Sequence, residues 1–103
     1  MVNSPFKALS HPIRREIVER LAVGPATVGE VTGDFEVSKP AISKHLKVLE
    51  ETGLVSRMVE GRTHVLSLRT ESLEEATEWM NRQRAIWTRL FDVVEDHLKE
   101  EQR

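Results

Sequence analysis

A mainly α fold (α+β class) with one small β-hairpin is predicted for this chain of 103 residues, and three observations predict it. Several segments place apolar residues at three- and four-residue steps, the period of an amphipathic helix. Residues 54–68 instead break into two short runs around a glycine, and the second run alternates apolar and polar positions as a strand does. From Glu71 onward there is neither Gly nor Pro, so the last third reads as one long helix.

Length and composition set the frame. A chain of this size forms one domain with a modest core, expected over 1–103 as a body at 4–70 and a terminal helix at 71–100. At 39% hydrophobic and 31% charged residues the composition is that of a soluble globular protein. No apolar run approaches the roughly 18 residues of a membrane span, and Met1–Pro5 lacks a secretory apolar core. The expectation is a cytoplasmic protein with no membrane partner. Cysteine is absent, which excludes disulfides, thiolate metal sites and thiol redox chemistry. The formal net charge of -2 hides an asymmetry: residues 1–70 carry 10 Lys/Arg and 8 Asp/Glu, whereas residues 71–103 carry 5 and 9. A docking face depends on local sign more than on the total.

In chain order, Ser4 to Leu9 forms a short helix with Phe6 and Leu9 as apolar members. Ser10 is expected to cap the next helix, with Pro12 in its first turn and Ile13, Ile17 and Leu21 as its stripe. Gly24-Pro25 ends it. Thr27-Val28-Gly29-Glu30 has the capping-box pattern, hydroxyl first and Glu at the third helical position, and opens a short helix that ends near Gly33. Ser38 to Gly53 is then one helix with both ends marked. Ser38 caps it, Pro40 sits where a missing N–H costs nothing, and Gly53 can take the left-handed conformation that stops it. Ile42, Leu46 and Leu49 make its apolar stripe. Lys39, Ser43, Lys44 and Lys47 occupy the other surface, with no acidic residue before Glu50.

A short capped helix followed by a tight connection and a longer basic helix is the helix-turn-helix arrangement. Runs 54–59 and 62–68 follow, joined at Glu60-Gly61, where the glycine supplies a positive φ. The two-stranded hairpin makes a wing with Arg62 and Thr63 at its tip and Arg57 on its outgoing strand. The long helix carries Leu73, Ala76, Trp79, Met80, Ile86, Trp87, Leu90, Phe91, Val94 and Leu98. Residues 73, 76, 80, 87, 90 and 94 follow heptad-like steps, with Gln83 polar in the seam. At about 28 residues it would span roughly 42 Å, too long to bury itself in so small a domain. Homodimerisation covers that apolar surface economically, through Phe6, Leu9, Leu73, Trp79, Met80, Ile86, Trp87, Leu90, Phe91 and Val94.

ALSHPIRREIVERL, VSKPAISKHLKVLEETGLVSR and EGRTHVLSL together resemble the ArsR/SmtB family of winged-helix bacterial repressors over most of residues 5–70. The Trp-bearing terminal helix is similar to the dimerisation helix of the metal-independent members. The resemblance implies a homodimeric, sequence-specific transcriptional regulator, usually a repressor, with double-stranded operator DNA as partner. It maps base and phosphate contacts onto Ser38, Lys39, Pro40, Ala41, Ser43, Lys44 and Lys47, and wing contacts onto Arg62 and its neighbours. Metal-sensing members carry cysteines, absent here, or an Asp-x-His paired with a His-x-x-Glu on the last helix. His97 to Glu100 matches only the second half, since Arg84 and Ile86 stand at the first. No metal and no cofactor is therefore expected.

Each feature has a plainer alternative. Lys39, Lys44 and Lys47 could form an ordinary solvated face, and Ser38 is first a cap and second a phosphate ligand. His11, His45 and His64 read as packing residues. Asp92, Asp96, His97 and Glu100 form a solvated acidic face or, on a second reading, a metal-responsive site. A third reading is a winged helix that binds protein without DNA. There is no G-x-S-x-G, Gly-rich phosphate loop or H-E-x-x-H, so no enzyme is expected. The reading favoured is a DNA-binding regulator whose base choice lies with Lys39, Ser43, Lys44, Pro40 and Ala41, with the inducing signal left open. Five basic residues per subunit, Lys39, Lys44, Lys47, Arg57 and Arg62, would neutralise at most about ten phosphates in a dimer, for a salt slope near -9.

Overall fold

The computed structural model describes residues 4–101; Met1 to Asn3, which belong to the leader reading, and the end of the tail at Gln102 and Arg103 lie outside them. The elements are α1 (Pro5–Ala8), α2 (Pro12–Val23), β1 (Ala26–Thr27), α3 (Val28–Gly33), α4 (Lys39–Glu51), β2 (Val55–Glu60), β3 (Thr63–Leu68) and α5 (Glu71–Glu101). The chain divides into two compact units, Met1–Leu73 and Glu74–Arg103. Among the described residues no helix is long and apolar enough to cross a membrane.

Helix starts in the first unit follow local chemistry. Ser4 accepts from the Lys7 amide, Thr27 from Glu30 and Ser38 from Ala41, each satisfying an amide with no intrahelical partner. The cap of α2 is His11 rather than Ser10. Pro12 fixes the first helical position, so the residue before it must cap, and His11 Nδ1 accepts from the Ile13 amide at 3.2 Å. The Ser10 hydroxyl turns back and donates to Lys7 O at 2.6 Å. The carbonyls that α1 leaves open are taken by α2: Arg14 Nε donates to Ala8 O at 2.6 Å and Arg15 Nη1 to Leu9 O at 2.8 Å.

The end of α4 sets the geometry of everything after it. Gly53 has φ +79°; its amide donates to Glu50 O at 3.1 Å and that of Leu54 to Leu49 O at 3.0 Å. These two bonds, with Leu49 and Leu54 both buried in the core, make a Schellman stop. A side chain at Gly53 would be strained by that φ and would bring its Cβ within 3.0 Å of Ser72 Oγ. Ser72 lies inside α5, which begins at Glu71, and its hydroxyl donates toward Thr52 O at 3.4 Å.

The sheet has three strands rather than two, in the order β1-β3-β2. The hairpin pairs Glu60 with Thr63 and Val55 with Leu68, and Ala26 and Thr27 add to its other edge opposite Leu66 and Val65. The turn is closed by Gly61 at φ +63°, the first central residue of a two-residue loop. The core collects Ile17 and Leu21 from α2, Val31 from α3, Ile42, Leu46 and Leu49 from α4, and Leu54, Val55 and Leu66 around the sheet. The i, i+4, i+7 stripe of α4 is thus buried whole, which fixes the opposite surface of the helix toward solvent.

Helix α5 begins with the last three residues of the first unit and continues through the second to Glu101, 31 residues in all, or about 46 Å. At 100° per residue its apolar side chains larger than alanine fall within about 160° of its circumference. Several are large and open: Trp87 is 58% exposed, Leu90 54% and Phe91 68%.

Candidate nucleic-acid interface

The buried stripe of α4 leaves Lys39, Pro40, Ser43, Lys44 and Lys47 exposed and Ala41 half-buried, with exposed Ser38 at the cap. Among the described residues Lys39 and Lys44 make no ion pair, while Lys47 lies 4.0 Å from Glu51 in an exposed pair that counts for little. This face therefore keeps positive charge, amide dipoles and a hydroxyl together at the start of a helix, which suits phosphate oxygens and base edges.

Two open grooves flank it. One, of about 350 Å³, lies between α3 and α4 and is lined by Val28, Gly29, Thr32, Gly33, Lys39 and Ser43. The other, of about 500 Å³, is bounded by the start of α3 and the wing and includes Arg57, Arg62, Thr63 and His64. Val28 and Gly29 border both. Arg62 and Thr63 are exposed at the wing. Arg57, expected on phosphate, is engaged elsewhere: Nε and Nη2 donate to Glu50 Oε1 at 3.1 and 2.6 Å, and Nη1 donates to His64 Nδ1 at 3.1 Å.

The helix is anchored from behind by histidines. The His45 and His11 rings lie 4.3 Å apart, and Arg14 Nη1 donates to His45 Nδ1 at 3.3 Å. Burial first, then the nearby His11 and Arg14, lowers the His45 pKa below the ordinary histidine value. Arg20 of α2 holds α3 through Asp34 at 3.0 Å and Glu30 at 3.6 Å.

Of the residues expected at a dimer contact, Phe6, Trp79, Met80, Ile86, Trp87, Leu90, Phe91 and Val94 are exposed. Leu9 and Leu73 are half-buried and pack against the first unit's core. His97 pairs with Glu101 at 3.1 Å, and among the described residues no group of three or more metal-ligating side chains converges.

The sequence profile of "Bacterial regulatory protein, arsR family" matches residues 11–57, from the cap of α2 to Arg57. The transcriptional repressor SdpR of Bacillus subtilis is 38% identical over 79 residues, which are 77% of this chain and 88% of that protein. The chain belongs to the ArsR family of bacterial regulators. A second relative, the HTH-type transcriptional regulator Rv2034 of Mycobacterium tuberculosis, is 43% identical over 84 residues, 82% of this chain and 76% of that protein. Among solved structures, an ArsR-like transcriptional regulator from Rhodococcus sp. RHA1 superposes with a TM-score of 0.79 at 27% identity, covering 92% of this chain and 87% of that one. The repressor BigR from Xylella fastidiosa gives 0.61 at 30% identity, covering 79% and 80%.

The ArsR family is one of DNA-binding transcription regulators and not of enzymes, and this chain is a winged helix-turn-helix regulator of that kind. Within that frame, sequence reasoning missed Glu50 as the partner of Arg57 and Arg20 as the clamp on α3. Opposite charges on either side of the Gly53 turn were the available signal for the first. Arg20 carried none, since Asp34 lies 14 residues away.

Proposed function

We propose that this regulator is a homodimeric, metal-independent, cytoplasmic repressor that binds a pseudo-palindromic operator through α4 and the wing. The observation that carries the proposal is the exposed α4 face, where Lys39 and Lys44 stand beside Ser43 with no acid among the described residues paired to either. Lys39, Ser43 and Lys44 would read base edges, with Pro40 and Ala41 offering small surfaces suited to a thymine methyl. Ser38, Lys47, Arg62 and Thr63 would position the backbone. The apolar face of α5, with Phe6 and Leu9, would join two protomers so that two α4 helices meet successive major grooves about 34 Å apart. The repressor names of its relatives support the direction of regulation.

Selection of duplexes from a random pool, followed by affinity measurements at several salt concentrations, tests this. A palindromic sequence should be enriched. Four basic residues per subunit on phosphate would set a limit of about -7 for the dimer, and with Lys39 and Lys44 on base edges the slope of log affinity against log salt should be shallower than that. Lys44→Ala should weaken operator binding roughly tenfold, in the range of one lost base contact. Equal, salt-insensitive binding to operator and scrambled duplex would sink the proposal.

A further inference from the structure

We propose that Arg57 is a positioning residue: through Glu50 and His64 it fixes the wing against the recognition helix, and it does not itself bind DNA. This rests on the reading above, in which α4 and the wing dock together. The guanidinium bridges three elements at once, reaching Glu50 on α4 and His64 on β3 from its own place on β2. The Arg57 and Glu50 side chains are only 30% and 31% exposed, so solvent screens the pair less than a fully exposed one. Arg62, five residues on, is exposed at the wing and in no ion pair among the described residues.

Two physical consequences follow from that placement. Glu50 lies seven and eleven residues beyond Ser43 and Lys39, on the same ridge of α4. Left alone, its carboxylate would oppose the phosphates that the lysines attract; Arg57 cancels that charge locally. The connection also spans the Gly53 stop, where the chain turns from helix to strand. A fork held at both ends fixes the distance from the α4 lysines to Arg62 and Thr63, so both can meet one duplex in one register. A phosphate could recruit Arg57 only by stripping Glu50 of its partner, and an abandoned, partly buried charge is costly. Lysine cannot substitute, since one ammonium lacks the fork.

The experiment compares wild type, Glu50→Gln, Arg57→Lys, Arg57→Gln and the double variant Glu50→Gln/Arg57→Lys on the selected operator and on a scrambled duplex, with Lys44→Ala alongside. Each single variant should lower the operator-to-scrambled affinity ratio about tenfold, the scale of one mismatched base pair. The double variant should fall no further than the worse single, as coupled residues do, and the salt slope should stay at the wild-type value. A tighter grip of Glu50→Gln on both duplexes at unchanged ratio would overturn the proposal, because it would mean a released Arg57 reaches phosphate. So would an Arg57→Lys that keeps the wild-type ratio, or an Arg57→Gln that flattens the slope by about two per dimer. Thermal unfolding checks each variant; should one single variant not fold, the other carries the test, since each breaks the fork from a different end. If Lys44→Ala loses affinity while Glu50→Gln and Arg57→Lys match wild type, only the positioning role fails. If wild type enriches no duplex, the DNA reading fails and this inference with it.

Discussion

The first unit and α5 spend their apolar residues in opposite ways. In the first, Ile42, Leu46 and Leu49 of α4 are fully buried and meet Ile17, Val31 and Leu66 in one closed cluster. In α5, Trp87, Leu90 and Phe91 lie on one side of a helix and all remain more than half exposed. The two helices have the same kind of stripe, so the pattern alone does not separate them. The difference is supply: α4 has three other elements to cover it, whereas a long one-sided helix needs a surface that its own chain need not provide. A stripe that is closed intramolecularly serves stability, and one left open is available for association.

The same deletion made in both places breaks or sharpens that contrast. Leu46→Ala should cost about 3 kcal/mol in a denaturant titration, since it empties a fully packed site that can collapse only in part. Leu90→Ala removes the same atoms from a side chain already 54% exposed and should change the intrinsic stability of the protomer by less than about 0.5 kcal/mol. Its effect should appear in sedimentation equilibrium, as a dimer dissociation constant raised about tenfold. Unchanged self-association in Leu90→Ala would mean that the open stripe is not the contact.

How far each region could be read from sequence follows from where its information lies. The helix α4 was legible because its stripe, its Ser-x-Pro start and its Gly stop are all local, and all three are found as expected. The hairpin was legible for the same reason, through alternation and Gly61. Strand β1 was not: two residues carry no period, and Ala26 and Thr27 become a strand only by pairing with residues some forty positions away. The Arg57–Glu50 bridge was legible only in part: the opposite charges flank Gly53, but residues seven apart become neighbours only once that glycine turns the chain. The cap misassigned to Ser10 had a competing carbonyl within reach of the hydroxyl. The exposed basic face was visible at once, because burying one side of α4 dictates the other.

A smaller effect separates the two jobs of Ser38 at the head of α4. Ser38→Ala loses the bond from the Ala41 amide and should lower stability by about 1 kcal/mol. Ser38→Asp retains a capping oxygen and adds a charge that suits a helix N-terminus, so its denaturation midpoint should match wild type. The same charge faces phosphate in the proposed complex, and operator affinity should drop more in Ser38→Asp than in Ser38→Ala. The opposite ranking would place Ser38 away from the DNA backbone.

The smallest expected effect is an acid-side loss of stability within the first unit. His45 Nδ1 must accept, because the Arg14 guanidinium that faces it can only donate. Its pKa is held below the ordinary value by burial, then by His11 and Arg14. The unfolded chain therefore binds this proton more readily than the folded one, and stability rises with pH between the two values. The contribution is complete above the unfolded pKa of about 6.5 and is lost as pH falls through the depressed folded value. Melting temperatures at pH 7.5 and below 6 should thus differ more in wild type than in His45→Gln, which keeps an acceptor and cannot be protonated. Equal differences in the two proteins would assign the acid sensitivity to groups other than His45.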